Sequence, residues 1–458
     1  MRLQGGDMLN HKLIRILAST GFCSALICST QVQAEDLMAI WKVAEKNDTK
    51  YLSAYHKLRA DQEIINLSRA DLLPTISFQY EHKETSQTIN ESDNAVFYGS
   101  SADYPTDRYG LTLTQSIFDY SRWQRYDQSK ISASRAEVEY KLSKQQLLLR
   151  LSESYFLVLE RSDQLQAIEA EKKAMLKHFE VSEKKHKTGL VRTVDLQDAS
   201  ARYLNALSKE IELQSRLTDS RYALRESLGS MPGNLARLRS DVKLEMPVPS
   251  DPEEWVRLAA KNNPELQALN LSLNEADKEI KALRGGHYPT LDLLLTHGNE
   301  AKEGSPFGGT SDIDTTEVTV QLNVPLYSGG KTSAKVRQAI EKRNSVLEDR
   351  NDKQRMVERS THDAYHRISE AIVQIGALEK SLQAQESRLK SKSAGYRSGQ
   401  NSLVEVLDVE QDFSDARQAL IKARYDYVLN VLRLKFAVGA LQEEDLSAIN
   451  NWLTNDQS

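Results

Sequence analysis

Two hydrophobic periods alternate along this chain. Leu151, Tyr155, Val158, Leu165, Ile168, Met175 and Phe179 recur at spacings of 3, 4 and 7, the stripe of a helix that packs along its whole length against a partner. From Leu111 to Thr188 there is neither Gly nor Pro. The spacing predicts one helix over about 121–187, roughly 100 Å long at about 1.5 Å per residue. Beyond Gly189, the residues Leu196, Ala199, Tyr203, Leu207 and Ile211 continue the stripe on an antiparallel return helix, about 193–228. A second such pair is predicted at about 331–397 and 402–438, turning near Gly399, with Gly376 as the point where the longer helix would bend. Shorter helices precede each pair, from Asp36 to Ala70 and from Pro252 to Leu283, interrupted at Asn47-Asp48 and at Asn262-Asn263-Pro264.

Only after Pro74 and Pro289 does the period fall to two. Ile76, Phe78 and Tyr80 alternate with polar residues, as do Tyr109, Leu111 and Leu113, and Val318, Val320, Leu322 and Val324; Leu291, Leu293 and Leu295 form a face that Leu294 blurs. These runs predict strands at about 72–83, 109–118, 290–297 and 316–327, with Thr112, Thr114, Thr319 and Gln321 on the polar face and Leu113, Val318 and Val320 on the apolar one. Each is near the 9–11 residues that a tilted strand needs to cross a bilayer. Long polar loops, 84–107 and 298–315, join them in pairs. Taken alone, the strands fit two hairpins capping a helical bundle equally well. As membrane strands, four cannot close a barrel, and open edges cannot exist in lipid. Two chains would give eight strands with a filled interior, and three would give twelve around a lumen. A homotrimer is therefore the smallest assembly that makes a pore.

The chain is also written twice. Lys46-Asn47 and Pro74-Thr75 recur 215 positions later as Lys261-Asn262 and Pro289-Thr290. Tyr155, Gly189, Val194-Asp195, Asp198 and Gly229 recur 210 positions later as Tyr365, Gly399, Val404-Glu405, Asp408 and Gly439. An offset that holds, slips once and holds again marks a duplication with one length change, placed between Pro74 and Phe118. The expected organisation is a first repeat over 35–250, a second over 251–440 and a C-terminal tail over 441–458, following a segment of different character at 1–34.

That first segment reads as a secretory signal peptide, with Arg2, Lys12 and Arg15 before an apolar run and Val32-Gln33-Ala34 as a cleavage site. Its removal would take away both cysteines, Cys23 and Cys28, leaving no disulfide or thiolate metal site. The formal charge of −5 would become −7, since Arg2, Lys12 and Arg15 against Asp7 carry +2. Such mild acidity argues against nucleic acid as a partner.

Several motifs now fit together. Leu72-Leu73-Pro74 and His287-Tyr288-Pro289 lead into the strands, and Val324-Pro325-Leu326-Tyr327-Ser328-Gly329-Gly330 leads out of the last one. Gly189-Leu190-Val191-Arg192-Thr193-Val194-Asp195 forms a helix tip, and Ala437-Val438-Gly439-Ala440-Leu441 opens the tail. In this order, and twice, they resemble the TolC family of outer-membrane export ducts over nearly all of the expected mature chain. The resemblance implies an α+β, mainly α, fold. Long antiparallel coiled coils would form a periplasmic α-barrel, and four strands per chain would enter a trimeric twelve-stranded barrel in the lipid of a Gram-negative outer membrane. It implies a passive conduit for proteins, toxins or drugs, joined through a periplasmic adaptor protein to an inner-membrane pump of the ABC or RND type. Gly189, Leu190, Val191, Ser398 and Gly399 would be the adaptor-docking tips.

In that family a constriction of acidic rings closes the periplasmic end, and its positions match Glu405 and Asp408. Three apart, these residues share a helix face. Three chains would bring six carboxylates to one axis, where like charges favour bound cations or retained protons. The family's latching Tyr and Asp fall on Tyr396 and Asp195, whereas its latching Arg and Thr are replaced by Asn401 and Val194. Asn offers no charge-assisted bidentate contact, so a weaker or different latch is expected.

No catalytic set, cofactor or metal site is read. Gly330-Lys331-Thr332 resembles the end of a phosphate-binding loop, but Pro325 stands where that motif needs Gly. His362 and His366 share a helix face with Asp363 rather than Glu between them and no evident third ligand. A soluble periplasmic coiled-coil adaptor or scaffold is the alternative reading. The β domain such adaptors usually carry is not apparent.

Overall fold

A computed structural model describes residues 34–93, 101–239 and 241–454; the expected signal segment, apart from Ala34, lies outside them. Helices α1 (Leu37–Asn47) and α2 (Thr49–Ala70) lead into strands β1 (Thr75–Thr88) and β2 (Ser101–Phe118). Helix α3 (Tyr120–Lys187) then runs 68 residues, and α4 (Thr193–Leu228) returns. The second half repeats the plan with α5 (Pro252–Asn262), α6 (Pro264–Arg284), β4 (Thr290–Lys302), β5 (Ser311–Asn323), α7 (Lys331–Arg397) and α8 (Leu403–Ala437). Helix α7 stays helical through Gly376. No described helix is long and apolar enough to cross a membrane.

Local chemistry explains the punctuation. Asp48 ends α1 and caps α2, its Oδ1 accepting from the Tyr51 amide at 2.8 Å. Asn263 does the same between α5 and α6, accepting from the amides of Glu265 and Leu266. Each helix pair is tied to the end of its own return helix: Asn47 Nδ2 donates to Leu228 O at 3.0 Å, and Asn263 Nδ2 to Ala437 O at 2.9 Å. The tyrosines of the repeat play matching parts. Tyr155 O–H donates to Ala236 O at 2.9 Å, and Tyr365 O–H to Ser250 O. They pin the segments that cross outside the long helices.

The four long strands form one antiparallel sheet in the order β1-β2-β4-β5. They differ from the sequence expectation at their outer ends. β1 starts only after Pro74 but runs on to Thr88, β2 begins at Ser101, and β4 reaches Lys302. These extensions are mostly polar, the buried Tyr104 apart, and carry no sustained period-two signal; cross-strand bonds hold them, such as Tyr104 O–H to Gln87 at 3.2 Å and Asn299 Nδ2 to Asp314 at 3.0 Å. β5 covers Ser311–Asn323 rather than 316–327, because Pro325 cannot donate to a ladder.

The register fixes the faces. Leu113 lies opposite Ile76 and Leu295, Val318 opposite Leu295, and Val320 opposite Leu293, all on one apolar side. On the other, Thr112 faces Ser77 and Thr296, Thr114 faces Thr75, and Gln321 faces Asp292. Leu294, opposite Thr114 and Thr319, belongs to the polar side, which is why it blurred the pattern. Gly110 and Gly298 sit opposite each other on the polar side, where a Cβ at Gly298 would come within 2.5 Å of Tyr109 O.

The main core gathers at mid-height, where α1, α3, α5, α7 and α8 meet around Trp41, Tyr155, Phe156, Ile368 and Tyr425. The C-terminal tail packs into it. Its helix α9 (Glu443–Asn450) buries Leu446 and Ile449. A short strand, β6 (Leu453–Thr454), then pairs with β3 (Arg237–Leu238). On α4 the buried row is Ala199, Ala206, Leu213, Leu217 and Leu224, whereas Leu204 and Ile211 are exposed. Of the expected stripe, Ala199 is buried and Tyr203 stacks on Phe179 of α3, ring centroids 6.0 Å apart, whereas Ile211 turns outward.

The repeat allows an internally controlled test. Gly229 and Gly439 both end return helices at positive φ, 78° and 73°. A Cβ at Gly229 would meet Asn47 Cβ at 3.9 Å, whereas one at Gly439 would meet Asn262 O at 2.6 Å. Gly229→Ala should cost about 1 kcal/mol for the backbone conformation. Gly439→Ala should cost about 1–3 kcal/mol more for the clash. Thermal unfolding in detergent checks the order; equal losses would contradict the packing around Gly439.

A second prediction concerns Glu171, buried between α3 and α8, where it accepts from the Ser414 hydroxyl. Burial raises its pKa above 4.5, so the folded state holds the proton more tightly than the unfolded one. Stability contributed by this group is full below 4.5 and falls as pH rises through the raised value. Glu171→Gln keeps an acceptor for Ser414 and removes the buried charge. The variant should melt above wild type at neutral pH, and the difference should vanish in acid, as thermal scans across pH would show.

Candidate gate at the helical tips

Both helical hairpins turn by the same device. At the α3 end, Leu190 N donates to Lys185 O at 2.9 Å and Gly189 N to His186 O at 2.9 Å; at the α7 end, Gln400 N donates to Gly395 O at 2.8 Å and Gly399 N to Tyr396 O at 3.2 Å. This paired pattern is the Schellman cap, which needs left-handed backbone at Gly189 and Gly399, φ 72° and 78°. Ser398 caps its own helix end through Oγ to Gly395 O, and Val191 O meets His186 Nδ1 at 3.0 Å. Leu190 and Val194 are left 76% and 69% exposed.

The return helices start differently. Arg192 caps α4 without a side-chain bond to the helix; its guanidinium instead takes both carboxylate oxygens of Asp195, at 3.1 and 2.9 Å. In the second copy Ser402 forms a full capping box with Glu405. Lys392 Nζ reaches Glu405 Oε2 at 2.5 Å and Asn401 Oδ1 at 3.4 Å. These bonds, the Lys392 one first, hold the Glu405 carboxyl below the ordinary range. One turn further along α8, Asp408 accepts from Arg202 Nη2 at 2.5 Å, and Arg202 Nε lies 3.7 Å from Asp198 on its own helix.

A small apolar cluster joins the two hairpins near the tips: Met175, Ala199, Ala206, Leu403 and Leu407, with Phe179, Tyr203 and Tyr396 against it. The ammonium of Lys185 lies 5.1 Å from the Tyr396 ring centroid, a cation–π contact. Within the chain, therefore, Tyr396 meets Lys185, Asp195 meets Arg192, and Asn401 folds back on Lys392 and Gly395. Sequence reasoning named Glu405 and Asp408 but not their partners. Arg202 could have been suspected from its i, i+4 spacing to Asp198; Lys392 lies on the preceding helix and gave no local signal.

The rings of His362 and His366 lie 4.4 Å apart on α7, tilted by 49°, and no group of three His, Cys, Asp or Glu residues that could hold a metal forms among the described residues.

Two hairpins of very long helices standing on one four-stranded sheet, written twice in one chain, define a channel-forming outer-membrane protein. The model of the family described as outer membrane efflux protein matches residues 41–230 and again 255–440, and the chain belongs to that family. The two matches fall on the two repeats. Outer membrane protein TolC of Vibrio cholerae is 30% identical over 424 residues, covering 92% of this chain and 94% of that protein. Proteases secretion protein PrtF of Dickeya chrysanthemi is 26% identical, covering 92% and 91%. Among solved structures, the CmeC outer membrane channel of Campylobacter jejuni superposes with a TM-score of 0.79 at 16% identity, covering 92% of this chain and 90% of that one, which speaks to the fold. Membership places the chain in the Gram-negative outer membrane, reaching into the periplasm, among channels rather than enzymes. It sets aside the soluble-scaffold alternative.

Proposed function

We propose that three copies of this chain close into one conduit, which passively carries proteins or small molecules from an inner-membrane pump and its periplasmic adaptor to the cell exterior. One observation carries this reading: the first repeat and the second lie in the same order in every layer. The sheet runs β1-β2-β4-β5. Above mid-height α3 packs between α2 and α6, and α6 packs on α7. Below it α3 packs between α4 and α8, and α8 on α7. One flank of the chain is therefore β1, α2 and α4, and the other is β5 and α7. The first flank exposes Leu67, Leu204 and Ile211, and the second exposes Met356 and Val373. Flank-to-flank addition satisfies the edges of the sheet and covers these side chains at once.

The apolar face of the sheet would then meet lipid, and the polar face, with Gln79, Thr112, Thr296 and Thr315 lining a hollow of about 310 Å³, would meet water. At the far end the tips would converge, with Glu405 and Asp408 narrowing the passage and Asp195, Val194, Tyr396 and Asn401 around them. The exposed Leu190 and the turns at Gly189, Val191, Ser398 and Gly399 would receive the adaptor. PrtF is named for protease secretion and ArpC of Pseudomonas putida for antibiotic efflux; the pump attached to this chain selects between such cargoes.

Mass measurement in mild detergent should give three chains per particle, and a stable monomer with protected strands would overturn the architecture. Val320→Arg should cost about 2–4 kcal/mol near mid-bilayer, depleting the assembled form. Gln321→Arg should assemble and change conductance. Equal tolerance at both positions would contradict the assigned faces.

A further inference from the structure

The tip that the conduit reading makes its narrowest point is not a bare ring of acids. Asp195, Asp198, Glu405 and Asp408 face Arg192, Arg202 and Lys392. We infer that Arg202 and Lys392 are the residues that set the charge and position of this constriction, each neutralising one carboxylate from within its own chain and so restraining cation preference. The inference rests on the conduit reading of the tips and goes beyond it by assigning roles to two basic residues.

Their geometry suits this role. Lys392 stands on α7 and spans to Glu405 on α8, closing the second hairpin across its own turn. It also holds Asn401, whose amide donates back to Lys392 O at 3.5 Å. Arg202 stands on α4 of the first hairpin and reaches α8 of the second, so it links the two hairpins. The duplication sharpens the point. Asp198 and Asp408 are equivalent positions 210 apart, and Arg202 lies between them. The position equivalent to Arg202 is Asp412, which pairs with Arg388 at 2.8 Å. A basic residue thus occurs in one copy only, where it donates to Asp408 and stands 3.7 Å from Asp198.

Both pairs are partly exposed, with side-chain accessibilities of 35% and 44% for Lys392 and Glu405, and 25% and 52% for Arg202 and Asp408. Exposed pairs add little to stability. Their effect on a passing ion is larger, because an ion confined in a narrow opening passes within the Debye length of about 8 Å. A paired carboxylate presents a dipole to that ion where a free one presents a full charge. Removing the cation should therefore expose the charge without unfolding the hairpin.

The test is the reversal potential of the full chain reconstituted in planar bilayers under a potassium chloride gradient, with lanthanum chloride titrated from the periplasmic side. Arg202→Gln with Lys392→Met should shift the reversal potential toward the potassium equilibrium value and lower the lanthanum concentration for half block. Arg202→Lys with Lys392→Arg should stay at wild type, showing that charge rather than shape matters. Glu405→Ala with Asp408→Ala should shift the potential the opposite way and weaken the block. If the basic variants leave both readouts unchanged while the acidic variants move them, the inference falls and the constriction stands. If the acidic variants also move neither readout, the constriction lies elsewhere, and both readings fall together.

Discussion

An unpaired strand edge in lipid governs this molecule. Each open N–H or C=O in hydrocarbon costs several kcal/mol, and the sheet has two edges, β1 and β5. Neither is blunted within the apolar span by a proline or a charge pointing to the lipid side: Ile76, Phe78 and Tyr80 occupy one, and Val318, Val320 and Leu322 the other. Edges left so plain are built to be paired. Once the sheet must continue into another chain, everything attached to it is carried along. The long helices enter from Phe118 and leave from the turn before Lys331, and so inherit the order of the strands. That inheritance is why α2 and α4 fall on the β1 side and α7 on the β5 side without a separate device to place them.

Duplication supplies a near-symmetric frame, and the helical tips are where the symmetry is broken. The hairpin turns keep the same Schellman geometry in both copies. Their first helical turns do not match: Arg192 clamps Asp195 in one, and Ser402 caps with Glu405 in the other. The Ser402 box leaves Glu405 one oxygen for Lys392, giving the second tip a contact that the first has no counterpart for, since the position equivalent to Lys392 is Ser182. Asn401 belongs to the same arrangement, its Oδ1 lying 3.4 Å from Lys392 Nζ. Lys392, nine positions before Asn401 on α7, supplies the ammonium that meets Glu405.

Much of the fold could be read from the sequence because long helices and membrane strands obey single periods over long stretches. The missing Gly and Pro between Leu111 and Thr188 announce α3, and Val318, Val320 and Leu322 announce β5. What escaped has a common physical cause. The outer halves of the strands are mostly polar, with Tyr104 and Ile313 as isolated exceptions, so alternation disappears although the ladder continues. The pairing of β3 with β6 joins Arg237 to Thr454 across the whole second repeat, and two-residue strands leave no pattern. At the tips, the acids were visible through their spacing on one helix, whereas Lys392 and Arg202 reach them across helices, a relation fixed by packing alone.

Packing also differs along the line where the two hairpins meet. At mid-height α3 meets α8 through Phe156 and Tyr425, and near the tips through Met175 and Leu407. Polar contacts interrupt this seam: Ser414 to Glu171 between the two, and His178 to Glu410 at 3.0 Å beside the Met175 cluster. Apolar contact loses free energy in proportion to the area exposed, whereas a polar pair that separates into water regains hydration on both sides. The seam between the hairpins is therefore apolar at mid-height and mixed toward the tips. The small cluster around Met175 and the Arg202–Asp408 link close that end again. The chain produces this change by placing Glu171, His178 and Glu410 along a seam where a uniform coiled coil would put leucines.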